Sequence, residues 1–145
     1  MPEADAASVL REVFDALNEH DLDRVAAAVH ERFDFVDVGG GEAVSGREQW
    51  RAYCGRFVTA FPDLTQEVTN LVPAGDSAFA EAIARGTHTG PLGTPDGEIP
   101  PTDRRLEIRF CVVVRAAHGL LVDGREYYDS MTLLTQLGLA PEAAG

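Results

Sequence analysis

The chain has 145 residues, the length of a single domain, and its 45% apolar and 25% charged residues are ordinary for a soluble globular protein. It carries 12 basic residues, all of them Arg, against 24 acidic ones, a net charge of −12. Without Lys there is no Schiff base and no phosphate loop ending in Gly-Lys-Ser/Thr, and the negative charge argues against nucleic acid and anionic membranes as partners.

In chain order, Val9, Leu10, Val13, Phe14 and Leu17 recur at spacings of three and four and predict an amphipathic helix over Ala4 to Asn18. Asp21 then caps a short second helix with Leu22, Val25 and Val29 on one stripe. The alternating FDFVDV of Phe33 to Val38 reads as a strand, and GGGEAVSG after it as a loop. Ser45 and Glu48 form a capping box that opens a third helix. On that helix Trp50, Cys54, Phe57 and Phe61 share a face that reads first as core, and Pro62 stops it.

From Leu64 onward the period becomes two, giving strands over Leu64–Val72, Ser77–Thr89, Arg104–Ala117 and Leu120–Tyr128. The long Pro/Gly-rich stretch from Gly90 to Thr102 reads as a loop of the kind that is usually functional. Ser130–Leu137 closes the pattern as a short helix ending at Gly138. Helices are thus segregated from an antiparallel sheet, the α+β class, in one domain spanning residues 1–145.

The acids are spread along the chain, 13 in residues 1–63 and 11 in residues 64–145, so most of them form a solvated surface. Cys54 and Cys111 lack CxxC spacing and read as small hydrophobes. The start MPEADAASVL shows no signal peptide, and no apolar run approaches the roughly 20 residues that span a bilayer, so a cytoplasmic location is expected.

Metal, nucleotide and flavin motifs are absent from the sequence, so no metal and no cofactor are expected. What remains is acid/base chemistry by carboxylates, His and Tyr in an apolar pocket. Asp37 is in phase with Phe33 and Phe35. It is either an inward carboxylate among aromatics or, with Val36 and Val38 inward instead, a solvated one. Asp129 follows Tyr127 and Tyr128 and is either a proton shuttle or the N-cap of SMTLLTQL. His88, in GTHTG, is either a donor to a substrate carbonyl or a hydrogen-bonded loop residue.

FPDL at 61–64, GTHTGPLG at 86–93, IPPT at 99–102 and YYDSMTLLTQLGL at 127–139 resemble the SnoaL-like polyketide cyclases, of the ketosteroid-isomerase-like superfamily. The resemblance implies a cone-shaped curved antiparallel sheet wrapped around N-terminal helices, enclosing an apolar pocket. It also implies cofactor-independent aldol-type ring closure in secondary metabolism, with Asp129 as the acid/base and His88 and Asp37 assisting. The side chains expected to bind substrate are Trp50, Tyr53, Phe35, Phe57, Tyr127 and Phe110. A homodimer is expected, together with a hydrophobic small-molecule substrate free of any acidic carrier protein. The alternatives are a cofactor-free hydrolase, dehydratase or oxygenase-like enzyme, or a non-catalytic ligand-binding or dimerisation module. Asp103, in PPTDR, replaces a turn glycine of many relatives and leaves the geometry of that loop open.

Overall fold

A computed structural model describes residues 4–139. Helix α1 (Ala6–Asn18) begins where the Asp5 side chain accepts a hydrogen bond from the Ser8 amide, and it buries the predicted stripe Val9, Leu10, Val13, Phe14 and Leu17. Asp21 caps α2 (Leu22–Ala27) in the same way. Strand β1 (Val29–Asp37) is followed by a short strand, β2 (Glu42–Ser45), in the stretch expected to be a loop. Four residues paired antiparallel to β1 are too few to show a period in sequence.

Helix α3 (Arg47–Ala60) starts at Gly46, whose φ of 88° lies in the left-handed region that glycine adopts most readily. The expected Ser45–Glu48 capping box is replaced: Ser45 ends β2, and its amide donates to Gln49 Oε1 at 3.0 Å.

The four long strands become β3 (Thr65–Ala74), β4 (Ser77–Thr87), β7 (Arg105–Ala117) and β8 (Leu120–Tyr128). The expected loop between β4 and β7 contains a small hairpin, β5 (Leu92–Thr94) with β6 (Gly97–Ile99). Helix α4 (Ser130–Gln136) closes the described chain. The main sheet has the order β2-β1-β8-β7-β4-β3 and is antiparallel except for the parallel pair β1 and β8. The chain is thus an α+β fold, a curved six-stranded sheet with helices packed on its inner face.

Strand β4 presents Ala78, Ala80, Ala82 and Ala84 to the interior, while β7 presents Leu106, Ile108, Phe110, Val112 and Val114. The row of methyl groups leaves space under the middle of the sheet that larger side chains would fill. Helices α1 and α3 close over that space. On the outer face the period-two pattern places charges, and Arg85 meets its register partner Glu107 at 2.7 Å and Glu67 at 2.9 Å.

The motifs that carry the resemblance act as staples. Asp63 of FPDL accepts from the Thr87 amide and hydroxyl at 2.7 and 2.8 Å, tying the end of α3 to the end of β4. Thr89 and Gly90 amides donate to Ala60 O, and a Cβ at Gly90 would lie 2.0 Å from Thr59 O, so only glycine fits there. Asp103 occupies the left-handed region at φ 59°, and its amide donates to His88 O at 2.8 Å. This left-handed turn is thus made by an aspartate, one of the non-glycine residues that tolerate it. No helix among the described residues is long and apolar enough to cross a membrane.

Candidate active site

The space between sheet and helices is an apolar cavity of about 120 Å³. Its walls include the aromatic side chains Phe35, Trp50, Tyr53, Phe57 and Phe110, all five expected from the sequence. The rings pack on one another: Phe35 lies 4.8 Å from Trp50 and 5.6 Å from Tyr53, and Tyr53 lies 5.0 Å from Phe57, centroid to centroid. The sixth expected residue, Tyr127, faces outward and is 43% exposed, and its neighbour Tyr128 lines the cavity instead. Strand parity is the reason, because Tyr128 is in phase with Glu126 and pairs with the inward Phe110.

One side of this apolar space carries carboxylates. Phe33, Phe35 and Asp37 all point inward from β1, while Val36 and Val38 are exposed. Asp37 is 3% exposed and sits at the same register position as Glu126 on β8, so two acids face each other across parallel strands. Glu126 is not among the residues expected from the sequence, yet it lines the cavity. Within β8 it is in phase with Gly124 and Tyr128, a phase set by the register shift between Arg115 and Ala116 of β7.

The phenol of Tyr53, brought in from α3, lies between the two acids. Its oxygen is 2.8 Å from Asp37 Oδ2 and 3.0 Å from Glu126 Oε2. A phenol has one proton and can donate to one carboxylate at a time. When it donates to Asp37, the best partner for its lone pair is a protonated Glu126. The electrostatics agree: burial first, and then the charge of Asp37, push the Glu126 carboxyl up to about 7, partly opposed by the hydrogen bond from Tyr53. Burial and both carboxylates hold the Tyr53 phenol well above its ordinary range.

Asp37 is held from two further sides. The Gly40 amide donates to Oδ1 at 2.7 Å and the Tyr128 hydroxyl to Oδ2 at 3.3 Å. These donors account for the glycine run after β1. A Cβ at Gly39 would stand 2.7 Å from the Tyr128 ring, and one at Gly40 would stand 2.8 Å from Asp37 Oδ2. Arg56 closes the outer side, paired with Glu42 and 5.3 Å from the centre of the Tyr53 ring.

The other two expected catalytic residues lie elsewhere. Asp129 is exposed, and both of its oxygens cap α4. Oδ1 accepts from the Met131 and Thr132 amides at 3.0 and 3.4 Å, and Oδ2 from the Thr132 hydroxyl at 2.8 Å. Those bonds hold its carboxyl below the usual range, and its side chain is not part of the cavity wall. Of its two sequence readings, the structure shows the cap. His88 is fully buried behind Phe61, with Nδ1 3.0 Å from the Thr102 hydroxyl, and burial lowers its pKa. It too lies outside the cavity wall. Cys54 is buried in the wall, whereas Cys111 is only partly covered.

A partly buried carboxyl that titrates near neutrality beside a second, hydrogen-bonded carboxyl group can take a proton from carbon and return it to oxygen. The family profile of SnoaL-like polyketide cyclases matches residues 7–137. Among solved structures, a candidate SnoaL-like polyketide cyclase from Jannaschia sp. CCS1 superposes with a TM-score of 0.79 at 22% identity, over 92% of this chain and 91% of that one. TsrD from Streptomyces laurentii gives a TM-score of 0.77 at 24% identity, over 90% and 92% of the two chains. IdmH from Streptomyces antibioticus, a candidate polyketide cyclase, gives 0.72 at 26% identity, over 90% and 96%. No curated protein sequence matches significantly. The chain belongs to the SnoaL-like polyketide cyclase family.

Proposed function

We propose that this protein is a cofactor-independent acid/base enzyme that closes a carbon ring by intramolecular aldol-type addition on a hydrophobic, polyketide-like carbonyl substrate. The observation that carries this reading is the cavity-facing Glu126, titrating at about 7 beside Asp37 and the shared phenol of Tyr53. Ionised Glu126 takes the proton from the carbon next to a carbonyl. The resulting enolate carbon attacks a second carbonyl of the same molecule, and the new alkoxide takes the proton back from Glu126. One C–C bond forms, one C–H bond is exchanged for O–H, and no electrons leave the substrate.

Glu126 is the catalytic acid/base in this reading, while Asp37 and Tyr53 are positioning residues that set its protonation. The aromatic wall holds a flat, conjugated substrate and excludes water from the enolate. The net charge of −12 disfavours approach by an acidic carrier protein, which supports a released substrate.

The first step is testable without the natural substrate. In D2O at pH 7.5 the protein should accelerate exchange of the α-protons of 2-tetralone, a compact fused-ring ketone, followed by proton NMR. The Glu126→Gln variant should lose that acceleration by about 10²–10⁴-fold, the usual contribution of a positioned acid/base group. Undiminished exchange by the folded variant removes Glu126 from the role.

A further inference from the structure

Among the described residues, three buried side-chain polar atoms have no hydrogen-bond partner: Trp50 Nε1, Gln66 Oε1 and His88 Nε2. Two of the three, Trp50 and Gln66, belong to side chains that line the cavity. Buried polar atoms are normally paired, so an unpaired one in a cavity wall marks a place where a ligand group completes the set.

Gln66 stands well away from the carboxyl cluster. It lies on β3, paired through Ala84 of β4 to Ile108 of β7, whereas Glu126 on β8 pairs with Val112. The two are therefore three strands apart across the sheet and four residues apart along β7.

The backbone of Gln66 is also fixed. Asn18, the last residue of α1, receives the Gln66 amide on Oδ1 at 2.7 Å and donates from Nδ2 to the Gln66 carbonyl at 2.9 Å. Two residues earlier, Leu64 O is bonded to His20 Nε2 at 3.0 Å. The backbone that carries the carboxamide is thus fixed before any ligand arrives, which is part of what a specificity contact requires.

From the unpaired carboxamide oxygen in the part of the wall away from the carboxylates, we infer that Gln66 is a specificity-determining residue that hydrogen-bonds a hydroxyl group of the substrate, at the side of the cavity opposite the carbonyl that reacts at Glu126. A hydroxyl is the matching group because it donates to the amide oxygen and also accepts from the amide nitrogen if the carboxamide turns over. The preferred ligand is thus a fused-ring ketone bearing a hydroxyl on the ring remote from its carbonyl. This inference deepens the proposed function and takes from it the position of the reacting carbonyl.

The test uses 2-tetralone and 6-hydroxy-2-tetralone as a matched pair. Trp50 is the chain's single tryptophan, so its indole N–H is one resonance in a ¹⁵N-labelled sample and reports on the cavity wall directly. Titrated against that resonance, the wild type should bind the hydroxylated ketone about tenfold more tightly, the scale of one hydrogen bond to a buried partner. Gln66→Met, of similar length and without the carboxamide, should bind the two ketones equally. Gln66→Glu, which retains an acceptor oxygen, should keep the preference.

Equal affinities in the wild type, a preference that survives in Gln66→Met, or failure of either ketone to move the Trp50 resonance overturns the inference. α-Proton exchange measured on the same samples separates the two readings. A hydroxyl preference without exchange leaves Gln66 standing and removes the acid/base proposal, and exchange without the preference does the reverse.

Discussion

Asp37 and Glu126 occupy one register position on neighbouring parallel strands, and a single phenol, that of Tyr53, lies within 3.0 Å of an oxygen of each. Like charges so placed repel, and the repulsion is relieved when Glu126 holds a proton while the Tyr53 phenol donates its own to Asp37. The Gly40 amide and the Tyr128 hydroxyl both donate to Asp37, whereas Glu126 accepts only from Tyr53 among the hydrogen bonds of the described residues. In the proposed reaction Glu126, with the cavity beside it, is the member whose proton is exchanged.

This arrangement predicts opposite pH shifts for two variants. The charge of Asp37 disfavours ionisation of Glu126, and the Tyr53 bond favours it. For a base acting through its ionised form, α-proton exchange should rise with pH through about 7 in the wild type. Asp37→Asn should move that midpoint to lower pH, and Tyr53→Phe should move it to higher pH. A pH-rate profile of each, on a protein of unchanged circular dichroism, checks the pair of signs.

Stability should depend on pH in the same window. Glu126 has a folded-state pKa of about 7, above the ordinary carboxylate value, so the folded state binds more protons than the unfolded chain between the two. The stabilisation is present in full below the unfolded value and is lost as pH rises through 7. Wild-type Tm should fall from pH 5.5 to pH 8. Glu126→Gln, neutral throughout, should flatten that fall, and calorimetry at the two pH values measures it.

Asp129 should matter to the fold and little to the chemistry. Both of its oxygens cap α4, and its carboxyl lies outside the cavity wall. Asp129→Ala should lower Tm by a few degrees through loss of the cap while leaving α-proton exchange within about twofold of the wild type. Thermal melts and the exchange assay on one preparation decide it.

Asp103 should behave as a glycine substitute. With φ at 59° it holds a conformation that costs a non-glycine residue energy. Asp103→Gly should be neutral or stabilising by about 1 kcal/mol or less, the lost strain being offset by the entropy of glycine in the unfolded chain. Denaturant unfolding gives the sign.

Much of this architecture is legible in the sequence. The apolar stripes of α1 and α3, the alternation of β4 and β7 and the caps at Asp21 and Asp129 each follow from a local rule that the structure obeys. The aromatic wall was visible as well, because Phe35, Trp50 and Phe57 fall on faces defined by period. What escaped the sequence depends on pairing between distant strands. β2 and the β5–β6 hairpin are too short to show a period. Tyr127 and Tyr128 exchange roles because a register shift between Arg115 and Ala116 sets which residues of β8 face inward.

Glu126 was lost for the same reason. In sequence it is one acid among 24, beside Arg125 on a strand that also carries Asp123. Only the parallel pairing with β1 brings it to Asp37, and only α3 brings the Tyr53 phenol to both. A motif-based reading favours Asp129 because that residue opens a recognisable segment. The fold assigns it the start of a helix and leaves the cavity to its neighbour three residues earlier.

The most direct measurement sets Glu126→Gln and Asp129→Asn side by side in the deuterium-exchange assay with 2-tetralone, both proteins verified as folded. The account predicts exchange reduced about 10²–10⁴-fold by Glu126→Gln and essentially unchanged by Asp129→Asn. Exchange abolished by Asp129→Asn and retained by Glu126→Gln would contradict it.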